Sequence, residues 1–392
     1  MRISRTDRSL LAEWWFSVDR PLLVAMLALI AIGLLLSLAA SPAVALKKGL
    51  PAFYFVERHA SYAAIGLAAM LAVSLLSARA VRRLALVLFV AAVAAMVLVL
   101  LAGEEINGAR RWLHFAGLSL QPSELAKPAF AVLSAWAFAE SERRTDMPAL
   151  ALAIAFYLTF AVLLMLQPDV GQVLLVTLLW GALLFLSGRP IAWSGGLFAL
   201  GTAVLAGAYY ALPHVRLRID RFLIPPPGDT SQTDRAFQSF LEGGFFGRGP
   251  GEGTIKNILP DARSDFIFAV VAEEYGALAC LGLVAIFAFI VFRALSRTFG
   301  EPDPFARQAV TALALLVGLQ ALINMAVNVG LVPAKGITLP FVSAGGSSNL
   351  AMSLACGMLL ALARRSPDRE RLKMPGLGAK PGRLGPYGTR AP

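Results

Sequence analysis

Long apolar runs separated by short polar joints dominate the chain. Runs near 21–40, 60–77, 82–102, 124–140, 149–166, 170–188, 191–212, 266–293, 307–332 and 341–363 are each close to the ~20 residues that a helix needs to cross a bilayer's hydrocarbon core. They predict ten transmembrane helices. The sixth and seventh are divided only by Ser187-Gly-Arg-Pro190. The joint between the seventh and eighth, residues 213–265, is far too long to be a mere connector. Within it Ala236, Phe237, Phe240 and Leu241 recur at helical spacing and Gly243-Gly244 stops the pattern. That predicts a short amphipathic helix lying at a membrane interface. Pro225-Pro-Pro-Gly228 before it and the glycines from Gly247 to Gly253 after it suit a movable cover over a groove.

Composition sharpens this pattern. Of 392 residues, 58% are hydrophobic and 15% charged, with a mean hydropathy of +0.70, which excludes an ordinary soluble globular chain. The fold class is therefore an all-α polytopic membrane protein. A formal net charge of +11 would suit nucleic acid if it were clustered, but the basic residues sit between spans and on the tail, where they set orientation. Nucleic acid is accordingly not expected as a partner. Placing the N-terminus inside gives the cytoplasm Arg2, Arg5, Arg8, Arg79, Arg82, Arg83, Arg143, Arg144, Arg297 and the basic tail. The outer side receives Lys47, Lys48, Arg58, Arg110, Arg111, Lys127 and Lys335. Both termini are then cytoplasmic and the long loop is extracytoplasmic.

The expected organisation is an arm over 1–20, a membrane domain over 21–363 and a Pro-, Gly- and Arg-rich tail over 364–392 that reads as disordered and suited to anionic lipid. Ala43-Val-Ala45 mimics a signal-peptidase site, but the run before it is longer than a signal sequence carries. Cys280 and Cys356 lie in apolar runs, and His59, His114 and His214 are scattered, so neither a disulfide framework nor a histidine metal site is expected.

Polar residues in places that a passive bundle would leave apolar carry the chemistry. Asp265 stands where the loop turns into the eighth span, at a helix start that would favour its charged form; an N-cap is its plainer role. Arg110 and Arg111 offer forked donors for phosphate or carboxylate, and Trp112 a flat face for a sugar. Glu124 and Lys127 are three apart on one helix face and can pair, near Gln121 and Ser123. Asp169 fits a cap for the following span. Asn324 and Asn328, four apart in an apolar span, read as interhelical glue. Lys335 is a lone outer cation. Ser343, Gly345, Gly346, Ser347 and Ser348 offer hydroxyls and backbone N–H groups that could hold phosphate oxygens, although such small residues also permit close helix packing. An outer face with one poised carboxylate and several cations suits chemistry on an anionic lipid-linked substrate. No span repeats acidic residues as a proton relay would, and no nucleotide-binding loop is present.

Gly108-Ala-Arg-Arg-Trp112, Gln121-Pro-Ser-Glu-Leu-Ala-Lys127, Gln167-Pro-Asp169, Leu259-Pro-Asp-Ala-Arg-Ser-Asp-Phe-Ile-Phe-Ala269 with Glu273-Glu274, and Pro333-Ala-Lys-Gly-Ile-Thr-Leu-Pro340 with Gly345-Gly-Ser-Ser348 together resemble the SEDS family (shape, elongation, division and sporulation). The Pro-x-Lys-Gly and Gly-Gly-Ser-Ser elements look more like its division branch than its elongation branch. Arg263-Ser264 stand where the family commonly has His-Thr, Asp261 where Glu is usual, and Ala344 where Tyr is usual.

The resemblance implies a peptidoglycan glycosyltransferase of the bacterial cytoplasmic membrane, at the division septum. It would polymerise lipid II with a class B penicillin-binding protein and other division-site membrane proteins as partners. It also implies Asp265 as the essential acidic residue, acting as general base on the acceptor's 4-hydroxyl, with Arg110, Arg111, Lys127 and Lys335 steadying the pyrophosphate. No cofactor is required, and a divalent Mg2+ or Mn2+ is compatible with such a leaving group. The competing readings are a lipid II flippase, an elongation-type polymerase and a non-enzymatic scaffold.

Overall fold

The computed structural model describes residues 9–47, 49–105, 108–115, 118–144, 146–211, 232–333 and 336–364, with a few single positions between 213 and 224. The turn expected at Pro225–Gly228, Lys335, residues 1–8 of the arm and the tail beyond Arg364 lie outside the described residues.

Ten helices occupy the stretches where spans were expected. They are α2 (Arg20–Lys47), α3 (Tyr54–Ser74), α4 (Ala78–Ala102), α5 (Pro122–Arg143), α6 (Ala149–Leu166), α7 (Val170–Leu186), α8 (Ile191–Ala211), α10 (Ile267–Thr298), α11 (Pro304–Asn328) and α12 (Gly346–Leu362). Five of them, α2, α4, α6, α10 and α11, are long and apolar enough by themselves to cross a membrane, while α7 and α12, and α8 over Ile191–Ala203, are shorter apolar stretches. The two others, α3 and α5, carry ionisable side chains such as Glu57, Arg58, Glu124 and Lys127. α5 tolerates them because it is the central helix. It packs against α4, α6, α7, α11 and α12, with Phe130, Leu133 and Phe138 fully buried. A helix that faces protein on all sides can pair its charges internally instead of exposing them to lipid.

Four differences from the expected pattern follow from local chemistry. A helix α1 (Leu10–Ser17) precedes the first span, and its Trp14 Nε1 donates to Ser74 Oγ at 2.9 Å. The all-α expectation is interrupted by a hairpin of β1 (Leu113–Phe115) and β2 (Leu118–Leu120), antiparallel with His114 opposite Ser119. α3 starts at Tyr54, ahead of the expected 60. α12 starts at Gly346 rather than 341, because Ser343 Oγ accepts from Leu339 N at 2.7 Å and closes 339–343 into a turn.

The long loop contains α9 (Gln232–Gly243), the expected amphipathic helix. Ala236, Ser239 and Gly243 face inward, and Phe240 stacks near Phe268 of α10 with centroids 5.7 Å apart. Phe237 and Leu241 face outward, where an interfacial helix meets lipid.

α10 is broken at Gly276, whose φ of 77° and ψ of 179° are not helical. The turn after α9 fills the break. Arg248 N and Gly249 N donate to the Glu273 and Glu274 carbonyls at 2.9 and 3.0 Å, and Ala277 N and Leu278 N donate to the Gly244 and Phe245 carbonyls at 2.9 and 3.3 Å. These four bonds stand in for helical bonds lost at the break, as interrupted helices in a membrane require. The expected movable cover is therefore fixed over 243–249. A Cβ added at Gly243 or Gly247 would come within 1.9 or 2.2 Å of the carbonyl oxygens of Ala272 and Glu274, so these glycines serve close backbone approach.

Candidate active site

The site forms where the N-terminal ends of α5, α7 and α10 meet the segment 336–345. Asp265 lies in the turn before α10 and is partly buried. Phe266, not Asp265, is the helix cap, and no side chain bonds there. Three consecutive carbonyls of this turn are each held. Ala344 N donates to Arg263 O at 2.9 Å, and Ser343 Oγ to Ser264 O at 2.6 Å. Asp265 O accepts from Asn324 Nδ2 at 2.8 Å and Asn328 Nδ2 at 2.9 Å. Asn328 Oδ1 also accepts from Ala269 N at 3.0 Å, satisfying one of the open donors of α10's first turn. The two amides read as glue thus fix the backbone of the acidic residue, and Asn324 adds a bond to Ile337 O at 2.7 Å.

The Asp265 carboxyl itself has no hydrogen-bond partner among the described residues, and a methyl group placed on Gly336 would lie 3.8 Å from its Oδ2. Burial, reinforced by the negative charges of Asp261, Glu124 and Asp169, pushes its pKa up to about 7. This corrects the expectation that the helix start would favour the ionised form: no N–H reaches the carboxylate, so desolvation decides.

Around it, buried polar side chains bond mostly to one another. Lys127 Nζ lies 2.8 Å from Glu124 Oε2 and donates to Gln320 Oε1 at 2.8 Å. Gln172 Nε2 donates to Glu124 Oε1 at 2.8 Å. Gln320 Nε2 reaches Thr338 O at 3.2 Å and Ser348 Oγ at 3.3 Å, and Ser348 Oγ pairs with Thr338 Oγ1 at 2.6 Å. Ser347 Oγ accepts from Gln121 N at 2.9 Å and donates to Ser119 O at 3.2 Å. Asp169 caps Gln172 N at 3.4 Å, as expected. It also receives Gln121 Nε2 at 3.4 Å and faces Arg111 Nη1 at 3.5 Å. Burial raises the Asp169 carboxyl above its ordinary range while Arg111 opposes the shift. Ser123 Oγ is buried with no partner among the described residues.

The sequence-derived candidates therefore divide. Asp265, Glu124, Asp169, Gln121, Lys127, Ser343, Ser347 and Ser348 are brought together, but the hydroxyls and the Lys127 ammonium are already engaged by protein. Gly345 and Gly346 pack against Thr338 and the Tyr62 ring. Arg111 is tied to the Gln167 and Pro168 carbonyls at 2.8 and 2.5 Å. Arg110 is exposed, with Glu105 3.9 Å away, and Trp112 is half-buried. Arg263 lies 3.7 Å over the Phe55 ring. Among the described residues no three His, Cys, Asp or Glu side chains are grouped as metal ligands. Gln320, Asn324 and Asn328 escaped the sequence reading as site residues; their signal was polarity inside apolar runs.

A helical bundle that gathers the Asp265, Asp169 and Glu124 carboxyls and a ring of polar side chains at one end has the make-up of a polytopic membrane protein with a polar site at its rim. The chain belongs to the family of cell cycle proteins comprising FtsW, RodA and SpoVE, whose model matches residues 20–367. A relative from Caulobacter vibrioides, named probable peptidoglycan glycosyltransferase FtsW, is 45% identical over 93% of this chain and 94% of its own. One of the same name from Halorhodospira halophila is 36% identical over 88% and 90%. Among solved structures, a chain from a study of how a peptidoglycan synthase complex coordinates polymerization and crosslinking superposes with a TM-score of 0.76 at 28% identity, covering 91% of this chain and 99% of that one. The rod shape determining protein RodA of Thermus thermophilus gives 0.66 at 27% identity, covering 89% and 97%.

Proposed function

We propose that this chain is a peptidoglycan glycosyltransferase that polymerises lipid II into β-1,4 glycan strands, with Asp265 as general base. Family membership and the relatives' names support the activity. The observation that carries the assignment of the base is an unpartnered carboxyl with a pKa of about 7 on a backbone held at three successive carbonyls. A base titrating near the working pH is both available and strong enough to take a proton in the transition state.

Asp265 takes the proton of the acceptor's 4-hydroxyl as that oxygen bonds to the anomeric carbon of the donor sugar. The bond from that carbon to the undecaprenyl pyrophosphate breaks, and direct displacement turns an α-linked donor into a β link. Arg110 is exposed and only loosely paired with Glu105, which leaves its guanidinium available to steady the leaving pyrophosphate. Lys127, neutralised by Glu124 and bonded to Gln320, instead keeps α5, α11 and the 338–348 segment in register. The setting is the bacterial cytoplasmic membrane at the septum, with ten spans, both termini inside and the 213–265 loop outside. A class B penicillin-binding protein serves as crosslinking partner.

The test is polymerisation of lipid II by the purified chain with that partner. Asp265→Asn should lower turnover by roughly 10²–10⁴-fold without changing the melting temperature appreciably. Near-native turnover by Asp265→Asn would remove the base from the scheme.

A further inference from the structure

Lys256 is 6% exposed, and nothing in the chemistry above uses it. Its Nζ donates to Glu274 Oε1 at 2.5 Å, Gly251 O at 3.0 Å and Ala39 O at 3.2 Å, so all three N–H groups of the ammonium have acceptors. These acceptors belong to three separate parts of the molecule: α10 just before its break, the loop, and α2. The Lys256 N–H itself donates to Glu273 Oε2 at 3.2 Å, and Glu273 Oε1 takes Thr254 N and Ile255 N at 2.5 and 2.7 Å. Gly251 N reaches Glu274 Oε2 at 3.1 Å. The segment 251–256 is thus wrapped around two buried carboxylates, and the Lys256 ammonium ties it to α2 by a hydrogen bond to the Ala39 carbonyl.

That tie stands at the head of a gap. Between α2 and α10 lies an apolar cavity of about 690 Å³, lined by residues including Leu36, Ala39, Gly282 and Ile286 and bordered at one end by Pro250 and Gly251. Along this groove α2 and α10 do not pack directly side chain against side chain, and lipid offers no hydrophobic drive to close two helices. Ala39 also lies one residue beyond Leu38, whose carbonyl loses its helical donor to Pro42. From Lys256 the chain reaches Asp265 along an anchored path. Ile258 N and Leu259 N donate to Ile255 O at 2.9 Å, and Leu259 and Ala262 are buried.

We propose that Lys256 is a positioning residue for polymerisation, the link through which α2 holds the segment that carries Asp265. The proposal rests on the reading of Asp265 as base, and the experiment separates the two. The full chain in lipid nanodiscs, with its crosslinking partner, is compared as native, Lys256→Met, Glu274→Gln and Asp265→Asn, by lipid II turnover and by hydrogen exchange of backbone amides. Lys256→Met should lower kcat roughly 10–100-fold with KM nearly unchanged, and should speed exchange at 249–259 and at the outer part of α2 while leaving α12 as in the native chain. Asp265→Asn should lose turnover with native exchange throughout.

Native kcat in Lys256→Met overturns the proposal, as does lost turnover with native exchange around Ala39. If Lys256→Met does not yield folded protein, Glu274→Gln decides. A smaller fall in kcat with faster exchange at 249–259 supports the link, and native values of both overturn it. Activity retained in Asp265→Asn would reject the base while leaving the exchange result for Lys256 standing.

Discussion

At the scale of single residues, Asp265 is set apart by what its backbone has and its side chain lacks. Its carbonyl is held by two amides, while its carboxyl faces negative neighbours and no donor among the described residues. With a folded-state value of about 7, the carboxylate form that a base needs is scarce in acid and complete above neutrality. kcat/KM for polymerisation should therefore rise with pH through about 7 and level off above it. Asp169→Asn removes one of the negative charges that raise Asp265, so it should shift this limb to lower pH. A profile that does not move in Asp169→Asn would contradict the electrostatic account. The place of Asp265 was legible in the sequence as a carboxylate at the edge of an apolar run. Its protonation was not, because Glu124 and Asp169 come near only through folding. Asn324 and Asn328 show the same gap. A pair of amides four apart announces hydrogen bonding across helices, but which carbonyl it finds depends on where α10 begins.

At the scale of elements, the broken helix α10 joins membrane and loop into one unit. Gly276 adopts a backbone conformation open essentially only to glycine, and a Cβ there would stand 2.4 Å from Phe245 O and 2.5 Å from Gly247 N. Gly276→Ala should destabilise the chain by on the order of 1–3 kcal/mol from backbone strain alone, with expulsion of the 244–249 turn added. A lower melting temperature and weaker protection of Ala277 and Leu278 amides would record it. An unchanged melting curve would mean that the break is tolerated by other means. The apolar run 266–293 predicted a span correctly placed at its start, yet gave no sign of the break. A lone glycine in a helical run is ambiguous until the turn that fills its gap is present. The glycines of 243–253 suggested freedom of movement for a similar reason: the same absence of a Cβ permits flexibility in a chain and close contact in a fold.

At the scale of the whole molecule, α2 and α10 run in opposite directions, as the first and eighth of ten alternating spans would. The proof lies in two polar ties at opposite ends. Lys256 meets Ala39 at one, and at the other Asp19, just before α2, receives Leu22 N at 3.2 Å, Arg293 Nε at 3.1 Å and Arg297. Burial would raise the Asp19 carboxyl, but the Leu22 N–H, Arg297 and Arg293 together outweigh it and hold it below its ordinary value. The stability that this adds is present above the ordinary carboxylate range and is lost as the pH falls through the lowered value. Asp19→Asn should cost on the order of 1–3 kcal/mol at neutral pH, less than a fully buried pair because Arg293 is 34% exposed. Thermal melting should show the loss at pH 7 and a smaller difference from the native chain in strong acid.

The sequence by itself determined the class of molecule, the ten apolar stretches, the amphipathic helix and the acidic residue of greatest interest. Each of these depends on short-range composition and periodicity, which the chain carries wherever it folds. Tertiary structure alone decided that α5 lies at the centre, that Lys127 is paired with Glu124, that α10 is broken and filled, and that burial pushes the Asp265 carboxyl up to about 7. Those properties arise from burial and from distances between residues far apart in the chain, and a carboxylate's charge or a lysine's availability is set by what surrounds it.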